Sequence, residues 1–284
     1  MKPLKKTLSH SQVETFGQCP KRWSLQKIER VPQAPSGHLV LGDAVHQALQ
    51  ADGEKLMAGS PPLPMPLLTQ AYRTAFNERM TKDDPNGLLV GEIPDLYQRG
   101  LAMLAAYVEH VQPRYRPGAV ERAIEPAISI PGTDWTFTGR FDALIQQLTT
   151  MTIVDFKTAS KPWRPGDEHT KDQATAYTWA AEQMDQRDGW EIGSVRVMFV
   201  VLCSNTASFR PTERNAGQIA AYMAGVRATA EAIERAVETK TYPARTGPLC
   251  GWCGVLGACS AGQAWLKERG RTPAVPVLPS ASAK

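Results

Sequence analysis

The sequence predicts an α/β fold in which a mixed central sheet is flanked by helices, with a helical N-terminal part and a cysteine-bearing C-terminal segment. Three observations predict it. Apolar residues recur at helical spacing before about residue 115. Short alternating or valine-rich runs dominate the stretch that follows. A long amphipathic segment then closes the series, so helices precede a hairpin-rich β group, a helix, more strands and a helix. One domain is expected over residues 1–270: a helical part at 1–115, a core at 116–240 and a cysteine segment at 241–265. A disordered Pro/Ala/Ser-rich tail is expected at 271–284.

Ser9 to Phe16 predicts a short helix, broken by Gly17-Gln18-Cys19-Pro20. Gly37 to Met57 predicts a longer one, with Leu41, Val45, Ala48 and Leu49 on one face. Ala58 to Pro66 is proline-rich and predicts a loop, and helical patterns return at Leu67–Met80 and Asp95–Val111. Val120–Ile130, Trp135–Ile145 and Met151–Phe156 predict strands, with a turn at Pro131–Asp134. Lys171–Gln186 predicts a helix. Val195–Leu202 is a continuous apolar run, as in a strand buried on both faces, and Thr206–Arg210 can pair beside it. Asn215–Thr239 places Ile219, Met223, Val226, Ala230, Ile233 and Val237 on one helical face.

The 284 residues suffice for one large domain, and the formal net charge of +4 permits nucleic-acid binding without arguing for it. No apolar run follows the N-terminal lysines, and none approaches 18 residues, so neither a secretory signal nor a membrane span is expected. A reducing cytoplasmic setting follows as the expectation. There the five cysteines are ligands, nucleophiles or buried thiols rather than disulfides.

Cys250-Gly-Trp-Cys253 can turn two sulfurs onto one centre, and Cys259 adds a third. Cys19 or Cys203 must supply the fourth. Cys203 ends an apolar strand and suits a buried thiol, whereas Cys19 in a helix-breaking turn is the better ligand position. A structural zinc site usually takes two C-x-x-C knuckles, and iron–sulfur clusters tolerate unequal spacing, so both metals stay open with iron–sulfur ahead.

The acidic residues carry the other constellation. Gly139-Arg140-Phe141-Asp142 lies in one expected strand and Ile153-Val154-Asp155-Phe156-Lys157 in the next, with Asp155 and Lys157 on one face. Carboxylates on apolar strands need a partner, and a divalent cation is one. Asp142 and Asp155 around Mg²⁺ or Mn²⁺, with Lys157 beside them, suit phosphodiester hydrolysis; a surface salt bridge between Asp155 and Lys157 is the alternative. His46 is a lone helix histidine, and Gln173 and Tyr177 share a face of the helix after the acidic strand. Lys21-Arg22-Trp23 and Lys161-Pro162-Trp163-Arg164 each set cations beside an indole. This pairing suits either phosphate and base contact or a solvated loop; Arg140 is a further candidate phosphate contact.

Taken in order, Cys19 in an N-terminal turn, Gly42-x-x-x-His46, Gly139-Arg-x-Asp142, Asp155-x-Lys157, Gln173-x-x-x-Tyr177 and Cys250-x-x-Cys253-x5-Cys259 resemble the iron–sulfur RecB-like branch of the PD-(D/E)XK nucleases. That branch includes AddB-type nuclease domains and CRISPR-associated RecB-like exonucleases. The resemblance runs from Leu8 to Cys259. It implies a restriction-endonuclease-like fold and a metal-dependent DNA exonuclease. It makes His46, Asp142, Asp155 and the Phe156 carbonyl metal ligands, and Lys157 the catalytic lysine. Gln173 and Tyr177 would act at the scissile phosphate. Cys19, Cys250, Cys253 and Cys259 would hold a [4Fe–4S] cluster that staples the chain ends, leaving Cys203 structural. Asp142 follows Phe141 where the family name has proline. DNA is the implied partner, as single strands or duplex ends, with a helicase, recombinase or CRISPR integrase as the kinds of protein partner. No Gly-x-x-x-x-Gly-Lys-[Ser/Thr] motif is present, so unwinding would need another chain. A CRISPR adaptation nuclease, a non-catalytic metal-stapled DNA-binding module and a zinc-bound interaction protein are the competing readings.

Overall fold

The computed structural model of the chain describes residues 5–84, 86–89 and 91–278. After a two-residue strand, β1 (Thr7–Leu8), Ser9 caps α1 (His10–Gln18), its hydroxyl accepting from the Gln12 N–H. Cys19 ends α1 and caps α2 (Pro20–Lys27), and Pro20 takes the first helical position, where a missing N–H costs nothing. The sequence signals the break but not α2, which is too short to show a period.

The three long N-terminal helices fall close to their expected spans: α3 (Gly37–Met57), α4 (Met65–Asp83) and α5 (Ile93–His110). Val40, Val45 and Leu49 of α3 share one core with Tyr72 and Phe76 of α4 and Leu104 and Tyr107 of α5. Beneath them Asp52 is fully buried and well supplied with donors. Its carboxylate accepts from the Leu63 N–H at 2.6 Å, the Tyr107 hydroxyl at 2.6 Å and Gln112 Nε2 at 3.1 Å, pinning the proline-rich loop to α3. Tyr107→Phe removes one donor from a buried carboxylate. It should cost about 1–3 kcal/mol, read as a lower urea midpoint at unchanged slope.

The β region holds β2 (Ala119–Ala123), β3 (Ile128–Ser129), β4 (Thr136–Phe137), β5 (Arg140–Gln147) and β6 (Thr150–Thr158). Then come α6 (Asp172–Asp188), β7 (Ser194–Cys203), β8 (Thr206–Thr212), α7 (Ala216–Thr239) and α8 (Ser260–Glu268). The main sheet has the order β2-β5-β6-β7-β8, antiparallel except for the parallel β6–β7 pair, which α6 connects. A small sheet pairs β1, β4 and β3. The expected strands at 120–130 and 135–145 are each two strands. Pro126 interrupts the first, and the chain changes sheet at Thr138-Gly139 in the second. Pro211 is tolerated because β8 is an edge.

Val154, Phe156, Val200 and Leu202 face the core under α3–α5, while Ile153, Val197, Phe199 and Val201 face the core under α6 and α7. Both faces of β6 and β7 are therefore covered, which is why they read as apolar runs rather than alternations. Each such side chain contributes about 1.5–3 kcal/mol of transfer free energy, so these two strands form a rigid floor for whatever their ends carry. No described helix is long and apolar enough to cross a membrane. Residues 271–278 form no helix or strand, and Ala274 donates its N–H to the Gly251 carbonyl at 2.7 Å. The rest of the expected tail, 279–284, lies outside the described residues.

Candidate active site

β5 and β6 pair as far as Ala143 and Val154. One step further the register would set Asp142 against Asp155, but the pairing stops and the strands part. Asp142 closes the gap, its Oδ2 accepting from the Phe156 N–H at 2.8 Å. Helix α3 lies close above because Gly42 has no side chain; a Cβ there would stand 3.2 Å from Thr158 Oγ1. One turn on, His46 Nδ1 is 3.4 Å from Asp142 Oδ2. The Gly-x-x-x-His spacing is thus a close approach followed by a ligand-type side chain.

Asp155 and Lys157 share a side of β6, as alternation requires. Asp155 is 2% exposed; its Oδ1 accepts from Gln173 Nε2 at 3.0 Å. Its Oδ2 lies 2.6 Å from Lys157 Nζ but off any hydrogen-bond line, which leaves that buried oxygen without a donor. Lys157 Nζ donates to Gln173 Oε1 at 2.7 Å. The second Gln173 Nε2 hydrogen reaches the Tyr177 hydroxyl at 2.9 Å, and that hydroxyl donates to the Arg140 carbonyl at 3.0 Å. Gln173 and Tyr177, one turn apart on α6, therefore clamp the carboxylate and the lysine together.

Burial pushes the Asp142 carboxyl up to about 7, with the charge of Asp155 adding to the rise; His46, the Phe156 N–H and Lys157 pull it back. Two carboxylates crowd a dry site, and one cation between them would relieve both desolvation and repulsion. Burial holds the Tyr177 phenol far above its usual range, so it stays neutral and acts as a fixed dipole. Glu121 of β2 joins this group although motif spacing does not flag it. Ligand-type atoms of His46, Glu121 and Asp142 all lie within 4.8 Å of one another. No sequence signal marks it, because its place depends on the register that sets it opposite Asp142.

Two cavities flank the constellation. One of about 740 Å³ is lined by His46, Asp142, Glu121, Arg140, Arg79 and Gln50. The other, about 550 Å³, is lined by Lys157, Gln173, His10, Trp163, Lys171 and Tyr222. Among the residues expected to meet DNA, Arg140 is 62% exposed and pairs with Glu121 at 3.0 Å. Lys161 and Arg164 are exposed. Trp163 borders the second cavity, with its ring against Phe199 at 5.2 Å and Lys171 Nζ 4.8 Å above it. Trp23 is a correction. It is 1% exposed and packs edge-on against Phe16, so it offers no face to a base. Lys21 pairs with Glu29, and Arg22 turns toward the cysteines.

Cys19, Cys250, Cys253 and Cys259 line one cavity of about 250 Å³. Backbone N–H groups of Arg22 and Arg245 point at Cys19 Sγ, each at 3.4 Å, and that of Gly247 points at Cys250 Sγ at 3.5 Å. Gly262 keeps α8 close to the sulfurs; a Cβ there would stand 3.5 Å from Cys259 Sγ and 3.6 Å from Cys250 Sγ. Cys203 lies in the sheet core, remote from this cavity, and burial raises its thiol.

Among curated proteins no sequence matches the chain. Among solved structures, one designated SSO0001 aligns with a TM-score of 0.43 at 12% identity, covering 92% of this chain and 89% of that one. A "Putative exonuclease" from Eubacterium rectale aligns with a TM-score of 0.51 at 15% identity, over 84% of each chain. At 15% identity this second likeness concerns the fold alone. The family model of the PD-(D/E)XK nuclease superfamily matches residues 7–260, from β1 to the first residue of α8. With its two aspartates and lysine gathered where β5 and β6 part, this chain belongs to the PD-(D/E)XK nuclease superfamily.

Proposed function

We propose that the chain is a Mg²⁺- or Mn²⁺-dependent deoxyribonuclease of the RecB-like branch, degrading single-stranded DNA or duplex ends in recombination or repair. The observation that carries this reading is the hydrogen-bonded set of Asp155, Lys157, Gln173 and Tyr177 next to Asp142, standing between two open cavities. The residues present fit a divalent ion: two carboxylates, an imidazole and a buried Asp155 oxygen without a donor. His46, Asp142 and Asp155 would hold it. So would the Phe156 carbonyl, which points to the same strand edge as the Phe156 N–H that meets Asp142. Such an ion supplies Lewis acidity at the phosphate and a bound water of lowered pKa.

The chain's own side chains do the rest. Lys157, fixed by Asp155 and Gln173, presents its ammonium to the second cavity, where it orients the attacking water and balances the charge developing on the phosphoryl oxygens. Gln173 holds Asp155 and Lys157 in register, and Tyr177 anchors Gln173. Arg140 at one cavity and Lys171 with Trp163 at the other suit a backbone on one side and a base on the other. Helices α1 and α7 wall the second cavity through His10 and Tyr222, whose His10 Nδ1 and hydroxyl meet at 3.1 Å. A threaded strand suits that cavity better than an unbroken duplex.

The four-cysteine cavity suits a [4Fe–4S] cluster. The N–H groups aimed at Cys19 and Cys250 suit thiolates, whose charge they stabilise. The test of the exonuclease reading compares a linear single strand with the same sequence ligated into a circle, both with Mn²⁺. The linear strand should disappear at least about ten times faster. Equal rates would leave a nuclease but remove the requirement for an end.

A further inference from the structure

β2 and β5 hold one register, Val120 with Ala143 and Arg122 with Phe141, which sets Glu121 opposite Asp142. Like charges directly opposite destabilise a sheet. Glu121 also takes a left-handed backbone, with φ of 48° in the middle of its strand. That conformation costs a residue with a Cβ about 1–2 kcal/mol. Two penalties fall on one side chain, and no core packing recovers them, because Glu121 stands on the wall of the larger cavity. Its carboxylate meets three groups there. Oε2 pairs with Arg140 Nη1 at 3.0 Å, and a ligand-type atom lies within 4.8 Å of both His46 and Asp142. Beyond them, Asp155 keeps a buried oxygen with no donor. Two carboxylates from neighbouring strands thus converge beside one imidazole, with Asp155 of the next strand beyond them.

We propose that Glu121 is a further ligand of the divalent cation at His46 and Asp142, delivered by its left-handed backbone and oriented by Arg140. The inference rests on the metal-dependent reading above. Arg140 occupies one carboxylate oxygen and leaves the other for the ion, so Arg140 is a positioning residue. An ion here joins β2, β5 and α3, and a like-charge clash becomes a set of shared bonds.

The test measures Mn²⁺ binding to anaerobically purified, EDTA-stripped full-length protein by the electron paramagnetic resonance of free Mn²⁺. Wild type is compared with Glu121→Gln, Arg140→Gln and Asp142→Asn, beside iron content and thermal midpoint. Glu121→Gln should weaken Mn²⁺ binding at least about tenfold, and Arg140→Gln less. The Glu121→Gln midpoint in EDTA should not fall, because a clash has been removed. Glu121→Gly, which keeps the left-handed backbone at no strain, should lose Mn²⁺ equally. The inference is overturned if Glu121→Gln binds Mn²⁺ within about twofold of wild type while Asp142→Asn does not. It is equally overturned if Arg140→Gln matches Glu121→Gln, since Glu121 would then act only as a salt-bridge partner. Wild type that binds no Mn²⁺ removes both this inference and the metal-dependent reading, so the two failures are distinguishable.

Discussion

Lys157→Ala is expected to slow Mn²⁺-dependent degradation of single-stranded DNA by about 10²–10³-fold, the usual cost of deleting one fixed electrostatic group from a phosphoryl or acyl transfer site. The effect is large because the ammonium is held rather than merely near. Asp155 lies 2.6 Å away on one side and Gln173 Oε1 2.7 Å on the other, so little reorganisation is needed when charge develops. Asp155→Ala should do at least as much, since it removes a proposed metal ligand and releases Lys157 together. Gln173→Ala should fall between them and wild type, because Lys157 keeps Asp155 as an anchor. Turnover at fixed saturating DNA, with Mn²⁺ affinity measured in parallel, separates the roles. Lys157→Ala should bind Mn²⁺ nearly as wild type does, and Asp155→Ala should not. More than a tenth of wild-type activity in Lys157→Ala would reduce the lysine to a counter-ion for Asp155.

Loss of the cysteine centre should have the largest effect on stability. Through the proposed cluster Cys19 and Cys250 would close a loop of about 230 residues, and cross-linking a loop of that length is worth about 5 kcal/mol in the chain-entropy account. That exceeds a third of the whole stability of an ordinary domain. Cys250→Ser should therefore yield a protein without iron and with a midpoint lower by about 10 °C, or no soluble product. Protease should cut it first between α7 and Pro248, where the chain runs without helix or strand. Wild type purified without oxygen should be brown and carry about four irons. One zinc per chain, or an unchanged midpoint in Cys250→Ser, would count against a cluster that staples the fold.

Long periodic elements were legible: α3, α7 and the valine run of β7 fall within a few residues of their expected spans. What escaped was short or set by tertiary contact. Helix α2 has eight residues, too few to show a period, and its Trp23 is exposed in no sense that its basic neighbours suggest. The breaks at 124–127 and Thr138-Gly139 arise where the chain transfers between two sheets, which no local pattern encodes. In the site, residues carrying a motif could be named in advance. Glu121 could not, because its place depends on the register of β2 against β5 and on a backbone angle. Trp163 was visible as an indole beside cations, but not that Lys171 lies over its ring.

The arrangement of the cysteine cavity also governs the order of manufacture. Cys19 leaves the ribosome well ahead of its neighbours, for the wall it shares with Cys250, Cys253 and Cys259 is built from residues made about 230 positions later. At about 5–20 residues per second that is a wait of roughly 10–50 s. Over the same interval α1, whose His10 lines the cavity beside Lys157, lacks α7, against which Tyr222 receives it. A chain broken off before α7 has Asp142, Asp155 and Lys157 but neither the seat for α1 nor the far wall of the catalytic cavity. Only a translation product that includes α7 has both walls of that cavity, so a chain broken off earlier lacks the proposed cutting site.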